Sequence, residues 1–178
     1  MEHFEDTGDR RATLRPMLGP DRFVPRLADL RHEELEALAI RGIIVDLDNT
    51  LVGFGEHALA DEHVSWVERA HARGFRLVMV SNNFSERVRH VAMQLGVDCV
   101  PNALKPLPFG VLRAIAMLRL PRRSIAVVGD QLFTDVLAGK LCGLYTILTE
   151  PIEPKDFPIT RIFRFFERLV LPQRRTPE

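Results

Sequence analysis

The chain alternates short, continuous apolar runs with longer stretches in which apolar residues recur every three or four positions. A continuous β-branched run suits a strand buried on both faces, whereas the three-to-four spacing lines up one side of a helix. The first run, Gly42-Ile43-Ile44-Val45-Asp46-Leu47-Asp48, ends in acid. Later runs predict strands over 76–81, 99–100, 124–128 and 144–148. Helical spacing predicts helices over 62–73, 85–95, 109–120 and 134–141, with Ser85 placed to cap the second and Gly74 and Gly96 as stops. Leu27, Leu30, Leu35 and Leu38 predict a further short helix over 29–39. Strands alternating with helices imply one α/β domain over 21–150, on a mainly parallel sheet covered on both faces. Residues 1–20 mix charge with Gly8, Pro16, Gly19 and Pro20, and are expected to form a loose arm or docking segment.

Composition narrows the class. The 178 residues are 46% hydrophobic and 27% charged, enough to bury the core of one domain. The 24 basic and 24 acidic residues cancel, which argues against a broadly basic surface for nucleic acid. All but three of the cations are Arg, the exceptions being Lys105, Lys140 and Lys155. A compact ammonium does not do the work of a planar guanidinium, so each lysine is a position to inspect. Cys99 and Cys142 stand far apart with no CxxC, which fits buried thiols in a reducing cytosol better than a disulfide or a zinc site. The acidic N-terminus does not look like a signal peptide, and no apolar run approaches the roughly 20 residues a membrane span needs. A cytoplasmic location is therefore expected. From 161 to 175 the tail carries five Arg against one Glu among Ile162, Phe163, Phe165, Phe166, Leu169 and Val170, a local charge of +4. Residues 151–178 are read as a basic aromatic helix and tail. Such a helix packs its apolar stripe on the domain or makes peripheral contact with an anionic membrane.

Candidate chemistry gathers where the strands end, the edge at which α/β sheets bind ligands. Asp46, Asp48 and Thr50 follow the first strand, Ser81 and Asn82 the second, Lys105 the third, and Asp130 and Asp135 the fourth. Two carboxylates beside an apolar strand repel each other and need a cation. Clustered oxygens without His or Cys favour a hard divalent ion, Mg²⁺ first. A carboxylate, a metal and a lysine together suit an anionic, oxygen-rich substrate, and a phosphate ester fits best. One carboxylate can attack phosphorus while a second protonates the leaving alcohol. Lys105 can stabilise the transferring group. Ser81, Asn82 and Thr50 join Lys105 as candidate phosphate ligands.

These residues resemble the haloacid dehalogenase superfamily. Asp46-Leu47-Asp48-Asn49-Thr50 matches its DxDxT signature, Ser81 its second motif, Lys105-Pro106 its third, and the run from Gly129 to Asp135 the GDxxxxD form of its fourth. The resemblance implies a three-layer Rossmann-like sandwich. It implies Asp46 as nucleophile, Asp48 as acid and base, and Mg²⁺ held by Asp46, Asp130 and the backbone carbonyl of Asp48, with Asp135 in support behind them. More narrowly, Leu104-Lys105-Pro106, Pro108-Phe109 and residues 20–30 are similar to the capless type IIIA, YqeG-like branch, which includes phosphatidylglycerophosphate phosphatases of phospholipid metabolism. Spacing agrees with the lack of a large cap. The 32 residues between Asp48 and Ser81 and the 23 between Ser81 and Lys105 are nearly consumed by helix and strand.

The expectation is a Mg²⁺-dependent phosphomonoesterase acting on phosphatidylglycerophosphate, with a phosphoprotein or soluble phosphate ester as the alternative substrate. An open site suits a large substrate such as a lipid head group, and Phe54 near the mouth fits that version. Two readings of another class compete: a signalling receiver domain, and an inactive phospho-binding scaffold. A receiver phosphorylates an Asp at its third strand and needs no acid motif after the lysine, whereas Asp130 follows Lys105 here. The intact Asp46, Asp48, Lys105 and Asp130 argue against the scaffold. A P-loop enzyme is excluded, since no GxxxxGK[ST] is present.

Overall fold

A computed structural model describes residues 19–53, 59–83 and 86–152. Phe54, Ser85, most of the N-terminal arm and the basic tail lie outside the described residues. The described strands are β1 (Arg22–Val24), β2 (Gly42–Asp46), β3 (Arg76–Val80), β4 (Asp98–Val100), β5 (Ile125–Gly129) and β6 (Tyr145–Thr149). They form one sheet in the order β1-β6-β5-β2-β3-β4, with every pair parallel. The helices are α1 (His32–Ala37), α2 (Asp61–Ala72), α3 (Glu86–Leu95), α4 (Phe109–Leu118) and α5 (Leu137–Leu141). A π-helical turn over Leu132–Val136 leads into α5, and short 3-10 turns span Leu27–Asp29 and Arg122–Ser124.

The pleat of β2 explains the layering. Successive side chains point to opposite faces, so Ile43 and Val45 pack with Trp66, Val67 and Ala70 of α2 and Val88 and Val91 of α3. Ile44 packs on the other side with Val111, Ala114 and Leu118 of α4. Every residue of β2 and of β5 is buried, as their uninterrupted apolar runs require. From β2 the chain steps outward to β3 and β4, then crosses back to β5 and β6 on the other side of β2. That reversal puts a switch point between β2 and β5, where the loops at the carboxyl ends part and leave a crevice. No large cap covers it among the described residues.

The sheet has one more strand than the apolar runs predict. β1 is only Arg22-Phe23-Val24, too short to show a pattern, and it pairs with β6 at the edge through Arg22↔Ile147, Phe23↔Leu148 and Val24↔Thr149. Asp21 fixes that register: one carboxylate oxygen accepts bonds from the Thr146 amide at 2.8 Å and hydroxyl at 2.9 Å, and the other lies 2.5 Å from Lys140 Nζ. Lys140 is thus a strand fastener. The helix expected over 29–39 is a 3-10 turn followed by the six residues of α1, closed by Ala39 in a left-handed conformation at φ 56°. Leu27, Leu30 and Leu35 are buried there, whereas Leu38 is exposed. Cys142 is buried and Cys99 half-buried.

Trp66, the one tryptophan of the chain, ties this N-terminal segment to α2. Its indole N–H donates to the Leu30 carbonyl at 2.7 Å, and its ring stacks on His32 at 4.6 Å between centroids. Replacing Trp66 by Phe leaves a buried carbonyl without its donor and a void beside it. We expect this to lower stability by about 2–4 kcal/mol, read from urea unfolding followed by far-ultraviolet circular dichroism.

Candidate active site

Register sets the site. Asp46 is the last residue of β2 and pairs with Val80, so Ser81 begins where β3 ends. Val45 pairs with Val128 of β5, which places Gly129 and then Asp130 just beyond the same level. Past Asp46 the chain folds over sharply: Asn49 takes φ 63°, and its amide donates to the Val52 carbonyl at 2.7 Å. Leu47, Leu51 and Val52 are fully buried beneath this turn. The turn is thereby anchored in the core, with Asp48 partly exposed and Thr50 buried at the edge.

Lys105 lies at the centre. Its Nζ stands 2.6 Å from Asp46 Oδ1 and 2.5 Å from Asp135 Oδ1, and also donates to the Val80 carbonyl at 3.3 Å. All three side chains are buried. Burial alone would favour the neutral amine, but the adjacent Asp135 and Asp46 carboxylates overcome it and hold Lys105 protonated, above its ordinary range. The backbone of Lys105 is clamped as well. Its amide donates to Asn82 Oδ1 at 2.7 Å, and its carbonyl accepts from Asn82 Nδ2 at 2.9 Å. Asn82, expected among the phosphate ligands, uses both ends of its amide to position the lysine loop.

Asp48 faces another way. Its Oδ2 accepts from Ser81 Oγ at 3.2 Å and its Oδ1 from the guanidinium of Arg87. Ser81 is fully buried, and its Oγ also accepts from the Asn83 amide at 3.0 Å. Arg87 is absent from the sequence-derived site, although it left one signal. Arg87, Val91 and Leu95 recur at spacings of four, so a charge sits on the buried stripe of α3. In a chain whose cations are nearly all Arg, that signal is easily passed over.

The remaining acids complete a negative cluster. Carboxylate oxygens of Asp46, Asp130 and Asp135 lie within 4.8 Å of one another. Asp135, expected behind the direct metal ligands, is bonded to Lys105 as well as lying in this cluster. Its Oδ2 also accepts from the Gln131 amide at 3.1 Å. Asp130 Oδ1 is buried without a hydrogen-bond partner, as is Thr50 Oγ1. Burial pushes Asp130 up to about 9, the charges of Asp46 and Asp135 add to the rise, and Lys105 opposes it. Burial likewise pushes Asp46 up to about 7 against the pull of Lys105, with the Asp135 charge adding to it. An orphaned buried carboxylate oxygen beside two more acids is a donor set suited to a hard cation, so these residues fit a divalent metal ion.

Gly129 keeps the arrangement compact. A Cβ there would lie 2.3 Å from Asp135 Cγ and 2.5 Å from its Cβ, so the strand end must be glycine for Asp135 to fold back against it. Asp46, Asp48, Ser81, Lys105, Asp130 and Asp135 thus meet at one edge as the strand order requires. They form two linked groups, one centred on Lys105 and one on Asp48.

Comparison with known proteins agrees with this architecture. A family model described as haloacid dehalogenase-like hydrolase matches residues 3–143, and the chain belongs to that family of hydrolases. The chain is 36% identical over 158 residues to the probable phosphatase YqeG of Bacillus subtilis (strain 168), covering 89% of this chain and 92% of that protein. The enzyme is accordingly of the phosphatase kind. Phosphatidylglycerophosphate phosphatase 1, chloroplastic/mitochondrial, of Arabidopsis thaliana is 26% identical over 156 residues, covering 80% of this chain and 44% of that protein. The match thus spans less than half of the plant relative. Among solved structures, an uncharacterized protein from Listeria monocytogenes serotype 4b superposes with a TM-score of 0.54 at 16% identity, covering 67% of this chain and 85% of that one. The cobalt-bound deoxy-D-mannose-octulosonate 8-phosphate phosphatase YrbI from Haemophilus influenzae superposes with a TM-score of 0.53 at 14% identity, covering 63% of this chain and 69% of that one. At such identities the two structures share the fold.

Two outcomes follow from the cluster. Because Asp46 and Asp130 titrate higher folded than unfolded, the metal-free protein loses stability as pH rises from about 4 through about 9. A divalent cation bound among these carboxylates would offset that loss. Mg²⁺ should therefore raise Tm more at about pH 8 than at about pH 5, and Asp130→Asn should remove most of the difference in a thermal-shift titration. Gly129→Ala should displace Asp135 from Lys105 and lower kcat by about a hundredfold, with a stability cost of about 1–3 kcal/mol in a parallel denaturation measurement.

Proposed function

We propose that the protein is a Mg²⁺-dependent phosphomonoesterase that works through an aspartyl-phosphate on Asp46, with phosphatidylglycerophosphate as its substrate. The observation that carries this reading is the segment from Leu104 to Phe109. It delivers the buried Lys105 to Asp46 while Leu104, Leu107 and Phe109 stand exposed on either side of it. Exposed apolar residues flanking a buried catalytic cation fit a substrate that is charged at its head and apolar behind. The distant plant relative named for that lipid points the same way. No described helix is long and apolar enough to cross a membrane, so the lipid would be met at the surface of an anionic membrane.

In this mechanism an Asp46 oxygen attacks phosphorus and forms the aspartyl-phosphate bond as the bond from phosphorus to the leaving alcohol breaks. Asp48 gives the alcohol its proton. Asp48 then takes a proton from water, whose oxygen attacks phosphorus, freeing Asp46 and releasing inorganic phosphate. Lys105 balances the charge on Asp46 and on the transferring group. Bound Mg²⁺, held by Asp46 and Asp130 with the Asp48 carbonyl, would lessen the repulsion between carboxylate and phosphate. Asp135 fixes Lys105. Ser81 holds Asp48 in place, and Thr50 Oγ1 is available to a phosphate oxygen.

Asp46→Asn should lower phosphate release from an aryl phosphate by about a thousandfold or more with the fold unchanged by circular dichroism; Mg²⁺-dependent turnover surviving in that variant rules out the nucleophile assignment. The substrate is tested by a panel in mixed micelles. Phosphatidylglycerophosphate should be hydrolysed far faster than sugar phosphates, nucleotides or a phosphopeptide, and Phe109→Ser should reduce the lipid rate more than the aryl phosphate rate. Equal rates across the panel remove the lipid assignment, and a preference for the phosphopeptide or a soluble ester replaces it.

A further inference from the structure

The two cations of the site do different things. Lys105 is bonded to Asp46 and Asp135, on the side where the phosphoryl group is received. Arg87 is bonded to Asp48, and its side chain is only 6% exposed. A guanidinium is seldom buried this far unless it is paired, and a buried ion pair stabilises a fold no better than apolar residues of the same volume. Val88, Val91, Ala92 and Leu95 show that the adjoining positions of α3 are filled by such residues. Arg87 therefore stands out on its own helix.

Its position relative to the reaction follows from the in-line course of phosphoryl transfer, in which nucleophile and leaving oxygen lie on opposite sides of phosphorus. The group that protonates the leaving oxygen marks the leaving-group side. With Asp48 in that role, which rests on the mechanism proposed above, the guanidinium bonded to Asp48 lies beside whatever the leaving oxygen is attached to. We infer that Arg87 forms a second anion subsite that recognises a negatively charged group on the leaving alcohol, a phosphodiester above all. The planar fork of donors matches a phosphate in two-bonded geometry, which a lysine ammonium cannot do. A phosphate monoester of a glycerol that also carries a phosphodiester has this chemistry, whether as an intact lipid or as its water-soluble head group. Ser81 keeps a hold on Asp48 when Arg87 engages such a ligand, because the two bond different oxygens of the carboxylate.

The test compares glycerophosphoglycerol phosphate, which has the diester, with glycerol 3-phosphate, which lacks it, using the full chain with Mg²⁺. Wild type should favour the diester substrate in kcat/KM by about tenfold or more. Arg87→Met should abolish the preference, chiefly through KM, and Arg87→Lys should restore part of it. A residue that only held Asp48 would lower kcat for both substrates alike, so an unchanged ratio in Arg87→Met overturns the inference. Glycerophosphoglycerol, with the diester but no phosphomonoester to cleave, reads the subsite without turnover or mutation. Calorimetry should show it binding wild type far better than glycerol, and equal weakness of the two ligands also overturns the inference. The lipid assignment fails separately: head-group preference without hydrolysis of the acylated lipid leaves the Arg87 subsite standing and removes the membrane substrate.

Discussion

One buried ammonium makes the carboxyl edge of this sheet possible. The parallel register puts Asp46 and Asp130 both just past the paired ends of β2 and β5, and the turn after β5 adds Asp135. Three carboxylates that close would drive the strand ends apart if nothing stood between them. Lys105 Nζ bonds two of them at 2.5–2.6 Å. Taking away one partner of such a buried group typically costs about 3–5 kcal/mol, because the charge left behind has no water. The lysine is in turn held by its surroundings. Asn82 grips its backbone on both sides, and Gly129 leaves room for Asp135 to reach it. Disturbance anywhere along Gly129, Asp135, Lys105 and Asp46 is therefore felt at the carboxylate that the mechanism makes nucleophilic.

The second group, Asp48 with Ser81 and Arg87, is built on different elements. Asp48 comes from the folded turn after β2, Ser81 from the end of β3, and Arg87 from the first turn of α3. The group around Lys105 instead spans β2, the loop after β4, and the π-helical turn after β5. In the mechanism proposed here, the Lys105 group would face the transferring phosphoryl group and the Asp48 group the leaving alcohol. No large cap covers this edge among the described residues.

What could be read from the chain tracks how much of each element's reason for existing is local. β2 and β5 are buried on both faces, so their sequences had to be unbroken apolar runs, and the acids ending them were plain to see. Helix α4 was equally clear, although Arg119 in a left-handed turn closes it slightly earlier than its pattern suggests. β1 was not readable, because three residues at a sheet edge need no pattern beyond the partner waiting in β6. The roles within the site were harder still. Asn82 and Ser81 are both polar residues at a strand end, and only the fold decides that one grips a backbone while the other grips Asp48. Arg87 exists as a site residue through a contact with Asp48, 39 positions away, which no local window contains.

The placement of β1 beside β6 also bears on how the molecule is made. Asp21 and Thr146, which lock that edge, are 125 residues apart in the chain. A contact of this span forms late, since the loop it closes must be ordered first. During synthesis the first strand leaves the ribosome long before its partner exists, and β5 waits with one edge open until 145–149 have followed. In that interval Phe23 and Val24 have no sheet to join, and the open edge of β5 is a place where a wrong strand can add. In the folded chain Asp21 joins Lys140 and Thr146 across that edge.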